Sequence, residues 1–334
     1  MPDVGILLIL VIIAALAFDF INGFHDTANA IATVVSTRVL TPAAAILMAS
    51  GLNFLGAMVA TEVAKTIAGG ILAPADATQT VVLAAVIGGI VWNLVTWVYG
   101  IPSSSSHAII GGLVGAGLAH GGVDVIKWNG LVEKVVIPLF ASPFSGFIIG
   151  FFLMKLIALI FANSNPARVS KGFRRMQILS AATMAYSHGQ NDAQKSMGII
   201  TLALVANGTL SKAEVPLWVK ISCAIVMALG TSAGGWRIMR TMGHKIIRLE
   251  PVNGFAAETA GATVIMTASH FGMPISTTHA IAGSIFGVGA SKRLSAVRWK
   301  VALDMVMAWV TTIPAAMLVG AVAYGLLRLV GISA

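Results

Sequence analysis

Two sets of polar residues interrupt an otherwise apolar chain, and both could handle ions. The first is Asn22, His25, Asp26 and Asn29, echoed by Gln190, Asn191, Asp192, Gln194 and Lys195. Carboxylate and amide oxygens are hard ligands that suit a small cation, and a carboxylate can equally take up a proton. The second set is a pair of hydroxyl runs, Ser103 to Ser106 after Pro102 and Ser276 to Thr278 after Pro274. Proline suits the first turn of a helix, and serine or threonine oxygens satisfy the free backbone N–H groups there. Such a helix start offers hydroxyls, open N–H groups and a positive dipole end, which together suit an oxyanion.

Carboxylates beside an anion site look contradictory until coupling is considered. Two like unit charges about 5 Å apart repel by roughly 3 kcal/mol at an effective dielectric of 20. An anion therefore binds well only when cations sit between it and the aspartates. Na+ bound by Asp and Asn oxygens would meet that need, and so would protonation of Asp26 and Asp192. A structural salt bridge between Asp192 and Lys195 on adjoining turns is the plainer reading of those two residues. Asp26 lacks a basic neighbour in sequence. Asp19, earlier on the same helix, belongs either to this cluster or to the outer face.

The surroundings of these residues are those of a bilayer. Hydrophobic residues make up 57% of the 334 and charged residues 10%, with a mean hydropathy of +0.90. Soluble domains are roughly 45–50% apolar and 25% charged. The composition predicts an all-α polytopic protein of the cell membrane. Runs such as Val4 to Leu16, Ala43 to Ala60, Val81 to Trp97, Leu131 to Ala162, Trp218 to Ala233 and Val301 to Leu327 supply its spans. Asp3 stands where a signal peptide would carry basic residues, so the opening segment is expected to stay in the protein. The net charge of +9 is spread over loops, which fits a positive-inside arrangement and no nucleic-acid partner. A single cysteine, Cys223, excludes an internal disulfide framework and a zinc cluster.

The chain repeats itself. A shift of 172 places Pro102, Ser104, His107, Gly111, Gly115 and Gly117 on Pro274, Ser276, His279, Gly283, Gly287 and Gly289. A shift of 166 places Gly23 to Asp26 on Gly189 to Asp192, and a shift of 171 places Lys127-Trp128 on Arg298-Trp299. The predicted organisation is a first repeat over residues 1–162, a joining loop over 163–176 and a second repeat over 177–334. Arg168, Lys171, Arg174 and Arg175 make the joining loop cytoplasmic. The basic loops after the fifth apolar run and after the second hydroxyl run lie on the same side, whereas their first-half counterparts are poor in Lys and Arg. The repeats are therefore expected to be inverted, as in many secondary transporters, with both termini outside. Each proline break reads as the tip of a re-entrant hairpin, over about 81–118 and 255–290, reaching the middle of the membrane. Non-helical backbone at that depth survives only inside protein or beside a water-filled cavity.

His107 and His279 follow the tips, but no nucleophile elbow accompanies them and adjacent helical residues face different ways, so no catalytic Ser-His-Asp set and no enzyme is expected. The histidines are expected to hydrogen-bond across their hairpins. Glu258 is a buried acid, either a cation ligand or a tie from hairpin to scaffold.

Gly-Phe-His-Asp-Thr-Ala-Asn-Ala at 23–30, Gly-Gln-Asn-Asp at 189–192, Gly-Ile-Pro-Ser-Ser-Ser-Ser-His at 100–107 and Gly-Met-Pro-Ile-Ser-Thr-Thr-His at 272–279 together resemble the PiT inorganic phosphate transporter family. The resemblance covers nearly the whole chain. It implies a secondary transporter of inverted repeats that moves phosphate with Na+ or H+ as a homodimer in the lipid bilayer; the expectation here is Na+ rather than H+ as coupling ion, no cofactor, and alternating access between the two hairpin tips. It implies phosphate contacts at Ser104, Ser105, Ser106, Ser276, Thr277 and Thr278, joined by Asn29, Gln190 and Asn191. Asp26, Asn29, Asn191 and Asp192 match the family's cation and phosphate region and are expected as cation ligands, joined by Asn22 from the same polar cluster. The family's usual Asn-Asp pair is His25-Asp26 in the first half, a departure that sets the two halves apart as cation sites. A sulfate or related oxyanion permease of the same fold and an uncoupled anion channel are the alternatives on the residues alone.

Overall fold

In a computed structural model, which describes residues 5–73 and 76–332, the chain is almost entirely helical. Among the described residues the only β pairing is an isolated antiparallel bridge between Leu72 and Ile126. The expected placing of both chain ends falls on residues outside those described.

One order of elements occurs twice. In the first pass a long helix α1 (Ile6–Ser36) leads to α2 (Pro42–Ala57) and α3 (Glu62–Gly70), then to the arms α4 (Gln79–Tyr99) and α5 (Ser105–Gly121). A short turn at Val123–Val125 precedes α6 (Trp128–Leu131) and α7 (Ile137–Ile160), joined through Val132–Val136 as one continuous helical rod. The second pass has α8 (Pro166–Ala206), then α9 (Leu217–Ala233) with α10 (Trp236–Arg240), the arms α11 (Pro251–His270) and α12 (Thr277–Lys292), a turn at Leu294–Ala296, and α13 (Trp299–Leu329). The α2–α3 pair bends by 63° and its counterpart at Leu217–Lys245 by 59°. Small details recur as well. Trp128 donates its indole N–H to the Val123 carbonyl at 3.0 Å, and Trp299 to that of Leu294 at 2.9 Å.

The two passes are interleaved rather than side by side. Helix α5 packs along α13, and α12 along α7, so each hairpin leans on the final helix of the other half. Repeated glycines allow this. A Cβ on Gly111 or Gly115 would meet the carbonyls of Ile313 and Met317 at 2.8 and 2.0 Å, and one on Gly283 or Gly287 those of Pro143 and Phe147 at 2.2 and 2.0 Å. Small residues permit close backbone approach where lipid gives helices no hydrophobic drive to associate. The long helices cross-pack in the same reciprocal way, α1 on α9 and α2 on α8.

Among the described residues, helices α1, α4, α6–α7 and α13 are each long and apolar enough to cross a bilayer, and the two bent pairs bring the number to six if each is one span. The chain is a multi-pass membrane protein. Two expectations are corrected here. The basic joining segment is not a loop: Asn165 accepts N–H groups from Ala167 and Arg168 at 2.9 and 3.4 Å, Pro166 opens the first turn, and the helix runs on to Ala206. The second hairpin starts at Pro251, earlier than expected, because Asn253 accepts the Glu250 N–H at 3.2 Å and caps the helix there.

Candidate functional site

Helix periodicity puts Asp19, Asn22, Asp26 and Asn29 on one face of α1, because residues three and four apart are neighbours on a helix. His188, Asp192 and Lys195 share a face of α8 for the same reason. The two helices pack against each other, and all seven side chains are buried. A polar seam therefore runs through the apolar core.

The tips close over this seam. Each entering arm ends in a left-handed glycine, Gly100 at φ 65° and Gly272 at φ 66°, a conformation that glycine adopts without steric penalty. The Ile101 N–H then reaches back to the Thr96 carbonyl at 2.9 Å, and the Met273 N–H to that of Ala268 at 2.8 Å. These bonds terminate the arms as Schellman-type caps. The leaving helices start afresh: the His107 N–H donates to Ser104 Oγ, and the His279 N–H to Ser276 Oγ, both at 3.2 Å. The tips touch, with Ser106 Oγ donating to the Ile275 carbonyl at 2.7 Å. Ser104, Ser105, Ser106, Ser276, Thr277 and Thr278 are all 1% exposed, so the hydroxyls are sealed from solvent.

Asn29 carries the contact between seam and tip. Its amide donates to Thr278 Oγ1 at 2.8 Å and to Thr277 Oγ1 at 3.2 Å, across the boundary between the halves. Thr277 Oγ1 in turn donates to Asp192 Oδ2 at 3.4 Å. Carboxylate oxygens of Asp26 and Asp192 and a ring nitrogen of His188 all lie within 4.8 Å of one another. Two ionised aspartates at that separation repel by roughly 3 kcal/mol at an effective dielectric of 20, so positive charge has to accompany them.

That charge is partly built in. Lys195 Nζ donates to Asp192 Oδ1 at 2.5 Å, with both side chains fully buried, and His188 Nε2 lies 3.3 Å from Asp192 Oδ2. The plain salt-bridge reading of Asp192 and Lys195 is therefore realised. Asp26, expected to lack a basic neighbour, has one in His25, whose Nδ1 lies 2.6 Å from its Oδ1. His25 Nε2 lies 3.1 Å from Thr96 Oγ1 on α4, which fixes the ring between seam and hairpin.

Of the other expected ligands, Asn22 is buried with neither side-chain atom hydrogen-bonded. Asn191 donates to Ser269 Oγ at 2.9 Å and to the Met273 carbonyl at 3.3 Å, which ties α8 to the entering arm rather than to the tip hydroxyls. Gln190 is half-buried, and its Oε1 has no partner. Gln194 turns away from the seam and accepts the Val63 and Ala64 N–H groups at 2.8 and 3.2 Å, capping α3.

The histidines correct another expectation. His107 and His279 make no hydrogen bond across their hairpins; their rings pack against each other between the tips, centroids 5.0 Å apart, and Trp309 covers His279 at 4.0 Å. Glu258 resolves to the tie from hairpin to scaffold. It accepts Thr33 Oγ1 and Ser180 Oγ at 2.5 Å each and Gln177 Nε2 at 3.1 Å. Asp19 proves to be part of the seam rather than an outer charge, fully buried beside Ser196 of α8. Its spacing of seven from Asp26, two helical turns, is the signal that places it there.

Broken helices meeting over a buried ionic seam, in a multi-pass helical chain, mark the class: a membrane transporter rather than an enzyme. The phosphate transporter family matches residues 22–320. A probable low-affinity inorganic phosphate transporter of Bacillus subtilis is 51% identical over 97% of this chain and 98% of its own. A protein described in the same words from Rhizobium meliloti is 50% identical over 95% and 96%. A solved structure described as the sodium-dependent phosphate transporter superposes with a TM-score of 0.91 at 27% identity, covering 98% of this chain and all of that one. The chain belongs to the phosphate transporter family.

Proposed function

We propose that this protein imports inorganic phosphate together with a cation, Na+ in preference to H+, by alternating access at a site between the two hairpin tips. The observation that carries the reading is the bridge from Asn29 to Thr277 and Thr278, which holds the hydroxyls of one half beside the acids of both. Phosphate lies against Ser104 to Ser106 and Ser276 to Thr278, where two helix N-termini converge. Asn29, Gln190 and Asn191 belong to its surroundings. The cation sits at Asp26 with Asn22 and Asn29, and with Asn191 and Asp192 from the other half, between the phosphate and the carboxylates. A solved relative described as sodium-dependent favours Na+.

The recurrence of elements, with each hairpin leaning on the other half's last helix, supports two repeats of inverted topology and two re-entrant hairpins meeting near the membrane midplane. Positive-inside counting puts the start of α8 in the cytoplasm and both termini outside. The tips touch in a sealed state, and one hairpin withdraws at a time to open the site to either side. The protein acts as a homodimer.

Phosphate uptake into proteoliposomes, with Na+ and H+ gradients imposed separately and sulfate as competitor, tests the reading. Uptake concentrated by one cation gradient and resistant to sulfate is expected. Equal accumulation with no gradient would mean an uncoupled pore, and full competition by sulfate would mean a broader oxyanion permease.

A further inference from the structure

The two halves of the seam match in place but not in charge. Asn22, His25, Asp26 and Asn29 of α1 fall on His188, Asn191, Asp192 and Lys195 of α8 at a single shift of 166. The aspartates coincide, and the residue one turn beyond them is Asn29 in the first half and Lys195 in the second. Asn29 reaches across to Thr277 and Thr278. Those residues fall on Ser105 and Ser106 of the first tip, which an asparagine at position 195 would reach by the same path. Lys195 instead turns to its own helix and pairs with Asp192. Ser105 Oγ is left without a hydrogen bond. Among the described residues Lys195 is the one lysine or arginine that is buried, and its side chain is fully so. A lysine enclosed in a membrane core is expensive unless its charge is matched, and Asp192 matches it.

Resting on the coupled-transport reading above, we infer that Lys195 is a built-in counter-ion: its ammonium balances Asp192 as a coupling cation balances Asp26. Transport then needs one coupling cation fewer than it would with asparagine at position 195. The asymmetry follows from geometry. The ammonium lies at 2.5 Å from the carboxylate, and Thr277, which donates to the same carboxylate, is part of the hydroxyl site. Lys195 is thus a positioning and charge-balancing residue that sets stoichiometry, and it need not touch phosphate.

The test compares wild type, Lys195→Asn and Lys195→Arg in proteoliposomes. The cation-to-phosphate ratio is read from the membrane potential at which labelled phosphate flux reverses under fixed Na+ and pH gradients. Lys195→Asn should move about one more cation per phosphate than wild type, while Lys195→Arg, which keeps the charge, should keep the wild-type ratio. An unchanged ratio in Lys195→Asn overturns the assignment, and so does a Lys195→Arg ratio equal to that of Lys195→Asn. If Lys195→Asn does not transport, equilibrium binding of labelled phosphate to the monodisperse detergent-purified variant decides. The cation concentration for half-maximal binding should rise about tenfold or more. An unshifted midpoint, or no binding at any cation concentration, overturns the proposal, because an external cation should be able to replace the missing charge. A wild type whose uptake ignores every cation gradient would instead sink the coupling reading itself.

Discussion

Asn29 and Thr278, from opposite halves of the chain, are joined by a 2.8 Å hydrogen bond inside the sealed core. The bond fastens the polar seam of α1 to the start of α12 and sets where the second hydroxyl run faces. A helix start moved by one residue would turn its hydroxyls through about 100° and away from the acids.

Removing that tie tests its part in binding. Asn29→Ala strips two hydroxyls of their donor in a buried site, a loss of about 1–3 kcal/mol. The phosphate concentration for half-maximal uptake should rise about tenfold or more. A variant with wild-type saturation would show that the tip holds its position unaided.

The aspartates test charge compensation. Asp26→Asn keeps the shape of the side chain and removes the charge that a coupling cation has to balance, and Asp192→Asn removes the carboxylate that Lys195 and Thr277 both engage, so cation-driven accumulation of phosphate should be abolished in each. Asp192→Asn should also leave Lys195 uncompensated and lower thermal stability in detergent, since breaking one partner out of a buried pair costs about 3–5 kcal/mol. A normal cation dependence in either variant would end the coupling argument.

The touching tips test alternating access. Ser106 Oγ and the Ile275 carbonyl are 2.7 Å apart, so cysteines at positions 106 and 275, in a chain whose buried Cys223 has been replaced, should cross-link under mild oxidation. Uptake should stop on oxidation and return on reduction. Full cross-linking with undiminished uptake would show that the tips need not part.

Helix packing supplies a prediction about stability. Gly115→Ala would place a methyl 2.0 Å from the Met317 carbonyl, an overpacking that costs about 1–3 kcal/mol. Gly172→Ala, on α8 with nothing within 4 Å, should stabilise its helix by about 0.5–1 kcal/mol. Thermal unfolding in detergent should move in opposite directions for the two.

Glu258 makes the last case. It accepts three donors from α1 and α8, so Glu258→Ala strands Thr33, Gln177 and Ser180 in the core. Each stranded group costs about 1–3 kcal/mol, and a fall in melting temperature much larger than that of Glu258→Gln is expected. Equal melting temperatures would show that water replaces the carboxylate without loss.

Much of this architecture was legible in the residues. The repeat fixed the two tips, because proline, hydroxyls and glycines recur at one spacing, and hydropathy fixed the membrane setting. The spacing of Asn22, Asp26 and Asn29 gave their shared face, since side-chain direction on a helix follows from residue number. Less visible were features set by caps and by partners. Asn165 turns an apparent basic loop into the first turns of α8, and the signal was present in the Asn-Pro pair itself. His107 and His279 looked like hydrogen-bonding residues, yet they pack ring on ring because the two tips bring them together from separate hairpins.

The chain by itself therefore determined its class, its twofold plan and which side chains share a helical face, because each depends on local composition and on the 3.6-residue period. Only the tertiary structure decided which faces meet. Asn29 finds its acceptors in the other half, His25 reaches Thr96 on α4, and Asp19 goes inward rather than outward. Those choices depend on how closely the helices can approach one another, which glycine contacts between residues far apart in the chain permit.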